Sequence, residues 1–174
     1  MRHRRVGESR RRQLLPVSKV TAPILDSTLR DTLGVFAMTD EDLVQIATRL
    51  VGEFRTSPDC VAGGVAAALI GKSGHVYTGI CIDLACSLGA CAEHFAIAEM
   101  IKARESEIDT IVAVCGSEIV PPCGRCREMI RQISPANERT RVIIAPGRVA
   151  LLSELLPFEW SVAVGQEGSS GATH

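Results

Sequence analysis

The segment Cys91-Ala92-Glu93 is answered, thirty-two residues after its cysteine, by Pro122-Cys123-Gly124-Arg125-Cys126. If both segments act on one ion, the fold must bring two distant stretches of chain to a single point. Cysteines three apart in the first turn of a helix face the same side and can share a metal. A third thiolate from Cys91 would leave the fourth position of a tetrahedral Zn²⁺ open to water. Glu93 is then free to move protons between that water and a substrate rather than to ligate. A closed, purely structural zinc site would need a fourth ligand, for which Cys81, Cys86 and His94 are the candidates. His94 is a poor one, because adjacent helical residues point about 100° apart. A redox Cys-x-x-Cys would leave Cys91 and Glu93 without a role.

Composition sets limits around that motif. The 174 residues are 46% hydrophobic but only 3% aromatic, so the core must be built from Ala, Val, Ile and Leu. A net charge of −1 gives no overall field toward nucleic acid or an anionic membrane. Seven cysteines, an odd number with three at ligand spacing, favour a reducing compartment and a metal over a disulfide framework. The expected localisation is cytoplasmic, and no apolar run approaches the roughly 20 residues of a membrane helix.

Along the chain, residues 1–38 form a basic extension with Arg2, Arg4, Arg5, Arg10, Arg11 and Arg12 and no structural period. Pro16, Lys19 and Pro23 interrupt the only apolar stretch that could serve as an export signal. One folded domain is expected over 39–164, and a Gly/Ser-rich flexible tail over 165–174. Thr39 reads as an N-cap followed by acids, with Leu43, Ile46, Ala47, Leu50 and Phe54 at helical spacing, so a helix is expected to about Phe54. Thr56 to Asp59 reads as loop. Val61–Ile70 and His75–Ile82, joined by Gly71-Lys72-Ser73-Gly74, read as a hairpin. Helices are expected from Ala92 and Gly124, buried strands over 109–115 and 141–145, a short strand at Val149-Ala150-Leu151, and a helical turn before Pro157. Strands alternating with helices predict a three-layer α/β/α sandwich around a mixed five-stranded sheet.

Both metal-site segments thereby fall at helix N-termini, whose free N–H groups and dipole favour thiolate. Three thiolates on Zn²⁺ leave one net negative charge, and Arg125 and Arg127 are placed to donate to the sulfurs and offset it.

At these residues the chain resembles the cytidine deaminase superfamily, in particular the small tetrameric cytidine deaminases and the blasticidin-S deaminases. The resemblance spans roughly Thr39 to Trp160. It rests on Cys91-Ala92-Glu93, on Pro122-Cys123-Gly124-Arg125-Cys126-Arg127, on Val65-Ala66-Ala67-Ala68-Leu69 with Tyr77-Thr78-Gly79, and on Glu154-Leu155-Leu156-Pro157. It implies that Cys91, Cys123 and Cys126 hold zinc, which activates the water that attacks C4 of a cytosine. Glu93 would protonate N3 and later deliver a proton to the leaving ammonia. The Ala92 N–H would hold the 2-oxo group and the Pro121 carbonyl would accept from the 4-amino group. An Arg that follows the Glu in many cytidine deaminases is His94 here, and Arg125 stands inside the Cys-x-x-Cys as in blasticidin-S deaminase. The sugar-recognition positions depart from the family: Cys81 stands where an Asn is usual and Asp83 where a Glu is usual, while the ring-stacking Phe aligns near Gly63. The resemblance also implies a homo-oligomer, a tetramer, with Phe158 and Trp160 reaching a neighbour or else capping their own core.

The expected function is therefore zinc-dependent deamination of a small-molecule nucleoside, cytidine, deoxycytidine or a close analogue. The alternatives are an aminoacyl-nucleoside antibiotic or another amino-heterocycle as substrate, and a non-catalytic zinc-stapled module. Polynucleotide editing is disfavoured, because the ordered region lacks a basic-aromatic platform.

Overall fold

The computed structural model describes residues 38–160. The expected basic extension, apart from Met38, and the expected C-terminal tail lie outside the described residues. Thr39 caps helix α1 (Asp40–Leu50) reciprocally: its hydroxyl accepts from the Asp42 N–H, and the Asp42 carboxylate accepts from the Thr39 N–H. The Asp40 carboxylate of the same turn takes two bonds, of 2.7 and 3.0 Å, from the Arg141 guanidinium, tying the helix start to the sheet. α1 stops before the Phe54 that its apolar spacing predicts. Val51 turns extended, the Gly52 N–H bonds to the Gly63 carbonyl, and Phe54 opens a strand instead.

Among the described residues seven strands make one sheet: β1 (Phe54–Ser57), β2 (Cys60–Gly71), β3 (Val76–Leu84), β4 (Ile108–Cys115), β5 (Glu118–Val120), β6 (Arg141–Ala145) and β7 (Arg148–Leu151). Five of them, in the order β3-β2-β4-β6-β7, are the expected mixed sheet, with the β4–β6 pair parallel and the others antiparallel. β1 and β5 are additions that the sequence pattern concealed. β1 pairs only with Cys60–Ala62 of β2, and β5 only with Ala113–Cys115 of β4. Such short edge pieces carry no alternation long enough to read, and Thr56-Ser57 resembles loop chemistry.

The two faces of the sheet follow the pleat of β2 and β4. Ala68, Val112 and Val114 meet Leu43 and Ala47 of α1 on one side. Ala67, Leu69, Ile111 and Ala113 meet the other two long helices, α2 (Ala92–Lys102) and α3 (Gly124–Ile133), through Ala96, Ile97, Met100 and Ile130. Each of the larger side chains contributes about 1.5–3 kcal/mol by leaving water. The run of alanines in β2 keeps the helices close to the backbone, where an aromatic core would hold them off. A 3₁₀ turn (Pro135–Arg139) and helix α4 (Leu152–Leu155) close the α3 side, with α4 forming the expected turn before Pro157.

One contact sets the depth of α2. A Cβ on Gly79 of β3 would collide with the Ala92 carbonyl oxygen and, at 2.5 Å, with the Ala96 nitrogen, both backbone atoms that cannot swing away. Gly79→Ala should therefore cost about 2–3 kcal/mol in urea unfolding. It should also lower activity by displacing the helix start that carries Cys91 and Glu93. A midpoint unchanged from wild type would contradict this packing.

Candidate active site

Cys91 is the N-cap of α2 and Cys123 the N-cap of α3, both with extended backbone (φ −67°, ψ 155° and φ −68°, ψ 171°). Neither side chain caps its helix. Cys126 is the third residue of α3, so Cys123 and Cys126 occupy the two positions that face each other in a capping box. Their Sγ atoms lie 3.3 Å apart, Cys91 Sγ is 3.7 Å from Cys123 Sγ, and all three sulfurs fall within 4.8 Å of one another. Zn–S bonds of 2.3 Å in a tetrahedron put sulfurs about 3.8 Å apart, a spacing near that of the triad, so the three can share one zinc.

The charge environment argues the same way. Burial pushes the Cys91 thiol up, and it pushes up that of Cys126, where the nearby Glu93 carboxylate adds to the effect. For Cys123 burial is outweighed by hydrogen bonds from the Cys126 backbone and thiol, and its thiol is lowered. Burial thus disfavours the thiolate form at Cys91 and Cys126, and a divalent metal bound there would displace their protons and supply the compensating charge.

Glu93, the second residue of α2, is buried at 4% exposure beside these sulfurs. The same cavity, of about 500 Å³, is lined by Ala92, Pro121, Cys81, Asp83 and Arg125, so the residues expected at the site from three separate stretches converge. It is also lined by Val65, Leu84, Ser87, Gly89, Ala90 and Val120, none of which the sequence reading placed at the site. One signal was available for Val65. Gly63-Gly64 inside a strand pattern marks a bulge, and the β2–β3 register jumps between Ala62 and Ala66. Gly63 sits there at φ +81°, and a Cβ would collide with the Gly52 carbonyl, so no aromatic ring can issue from that position. The segment 83–90 is pinned at its base by reciprocal bonds of 3.0 and 2.9 Å between Ile82 and Ala90.

Two arginines part ways. Arg125 is exposed and lines the cavity. Arg127 does not face the sulfurs as the sequence reading expected. Its Nε donates to the Pro122 carbonyl (2.8 Å) and a terminal nitrogen to the Leu155 carbonyl (2.9 Å), strapping α4 to the start of α3. As the fourth residue of the helix, Arg127 lies one step round from Cys126 and nearer those free carbonyls than the thiols. His94 is outside the sulfur group and lines a separate groove beside α3. Its burial, together with the charge of Arg125, holds its imidazole below the usual range. Phe158 and Trp160 are 91% and 63% exposed, so they do not cap the protomer's own core.

The model of the family described as cytidine and deoxycytidylate deaminase zinc-binding region matches residues 38–142. A cytidine deaminase of Halalkalibacterium halodurans is 33% identical over 97 residues, covering 53% of this chain and 74% of that one. The crystal structure of cytidine deaminase from Mycobacterium tuberculosis superposes with a TM-score of 0.59 at 25% identity, over 70% of this chain and 98% of the other. The cytidine deaminase of Burkholderia pseudomallei gives 0.55 at 26% identity, over 71% and 100%.

Proposed function

We propose, for a chain that belongs to the family of the cytidine and deoxycytidylate deaminase zinc-binding region, that the substrate is a free cytosine nucleoside. The chain is a hydrolase of the zinc-dependent deaminase type, and Cys91, Cys123 and Cys126 are the group placed to hold the metal. When bound, zinc supplies the Lewis acidity that makes a water nucleophilic at neutral pH. Glu93, buried next to the three sulfurs, takes a proton from that water and returns protons to N3 and to the departing amino nitrogen. The Ala92 N–H, at the start of α2 where no intrahelical acceptor is available, donates to the 2-oxo group. The Pro121 carbonyl accepts from the 4-amino group, a backbone role that a proline can fill.

The observation that carries this reading is a cluster of three sulfurs, two of whose cysteines line one cavity together with the buried carboxylate of Glu93. The charge of the lining supports a nucleoside over a nucleotide. Among the described residues of the lining, Asp83 and Glu93 are carboxylates and Arg125 is the one cation, whereas a phosphomonoester brings nearly two negative charges. A second reading keeps the chemistry and enlarges the substrate to an aminoacyl-nucleoside antibiotic. It is favoured by the carboxylate of Asp83 on the cavity wall, which suits a cationic tail. Exposed Phe158 and Trp160 support a homo-oligomer, the seven free thiols suit the cytoplasm, and a free-nucleoside substrate would place the reaction in pyrimidine salvage.

Cytidine, deoxycytidine, deoxycytidylate and blasticidin S, followed by ultraviolet absorbance and ammonia release, separate these readings. Turnover of the two nucleosides at least tenfold above the other two compounds is expected. Preferential turnover of blasticidin S would replace the first reading by the second, and preferential turnover of deoxycytidylate would overturn both.

A further inference from the structure

Three positions on one face of β3 lead toward the cavity, the last two with side chains that line it. Alternate residues of a strand point the same way: Gly79 admits α2, Cys81 follows under the start of that helix, and Asp83 follows at the cavity. Cys81 is 7% exposed and its sulfur has two partners. It accepts from the Val65 N–H at 3.2 Å and donates to Asp83 Oδ2 at 3.6 Å. The first bond exists because the bulge at Gly63-Gly64 interrupts the β2–β3 ladder next to Val65, leaving that N–H to find a side-chain acceptor. The sulfur is thereby anchored, and its single proton is directed at the carboxylate.

Asp83 is an exposed residue, and its short side chain would otherwise choose freely between the cavity and water. We propose that Cys81 is a positioning residue for substrate selection: its thiol, anchored on Val65, holds the Asp83 carboxylate against the cavity as the acceptor for sugar hydroxyls. This inference rests on the nucleoside reading. It assigns the pair a division of labour, in which Asp83 touches the sugar and Cys81 acts only through Asp83. A thiol is a weak donor, but here its target is a charged oxygen and the competitor is bulk water at a single exposed residue.

The test uses the zinc-loaded Glu93→Gln protein, in which binding is separated from turnover. Calorimetry compares cytidine with 2′,3′-dideoxycytidine, which lacks the two ring hydroxyls. With Cys81 in place, cytidine should bind roughly tenfold or more tightly, the effect of one hydrogen bond to a charged acceptor. Cys81→Ser, which keeps a donor, should retain that ratio. Cys81→Ala, and the better-filling Cys81→Val if alanine fails to fold, should reduce it to about the ratio seen in Asp83→Asn. A donor-less variant that preserves the ratio overturns the proposal, and so does one that weakens both nucleosides equally, which would make Cys81 a packing residue. A wild-type enzyme inactive on cytidine, with the binding ratios as expected, would sink the substrate reading and leave the positioning role standing. Binding of neither nucleoside sinks both.

Discussion

Glu93→Gln should retain zinc while losing deamination by about three to four orders of magnitude. The amide keeps the shape of the carboxylate, which matters because Glu93 is 4% exposed between the start of α2 and the cavity. It cannot take a proton from water or carry one to a ring nitrogen. The loss should fall on kcat, since the group moves protons in the reaction rather than holding the substrate. Metal analysis of the same preparation is the essential control. A variant that keeps its zinc and more than about a tenth of wild-type kcat would remove Glu93 from the proton path, because general acid–base catalysis is worth at least about 10²-fold. The same comparison excludes a zinc-stapled module, for which Glu93 would have no kinetic consequence at all.

Cys126→Ser should have the largest effect on stability and metal content together. Cys126 is fully buried, and its sulfur lies 3.3 Å from that of Cys123. A serine hydroxyl is too weak an acid to replace a thiolate ligand at neutral pH, so two sulfurs remain where three converged. Zinc content after dialysis should fall to about a tenth of wild type or less. Zinc joins the N-termini of α2 and α3, and bound at 100 to 1,000 times its dissociation constant it would stabilise the fold by roughly 3–4 kcal/mol. Melting should therefore drop by about 10 °C. Adding a chelator to wild type should reproduce the drop, and adding it to Cys126→Ser should do little more. A substituted protein that keeps stoichiometric zinc would show that the three-sulfur set is wrong.

The long elements were legible because each carries its own period and its own ends. Thr39 with Asp42 announces α1, and the apolar β-branched run Thr110-Ile111-Val112 announces a central strand. The metal ligands were legible for a similar reason, since their spacing at two helix starts is itself chemistry. What escaped reading is non-local. β1 is four residues long and exposed throughout, and exists as a strand through its pairing with the start of β2. Arg127 looked like a partner for the sulfurs from its place in the motif. Its direction is settled by the carbonyls of Pro122 and Leu155, the latter twenty-eight residues away.

By itself the sequence determined the reaction class: Cys91, Glu93, Cys123 and Cys126 specify a zinc-dependent deaminase because coordination and proton transfer depend on residue type and spacing. Only the tertiary structure decided what surrounds that chemistry. It set the bulge that turns the Val65 N–H onto Cys81, the thiol that reaches Asp83, and the close approach of the Gly52 carbonyl that admits only glycine at 63. The reason is physical. A ligand set is written in a few residues, whereas the shape of a cavity is the sum of register, close approach and burial across strands that are remote in sequence.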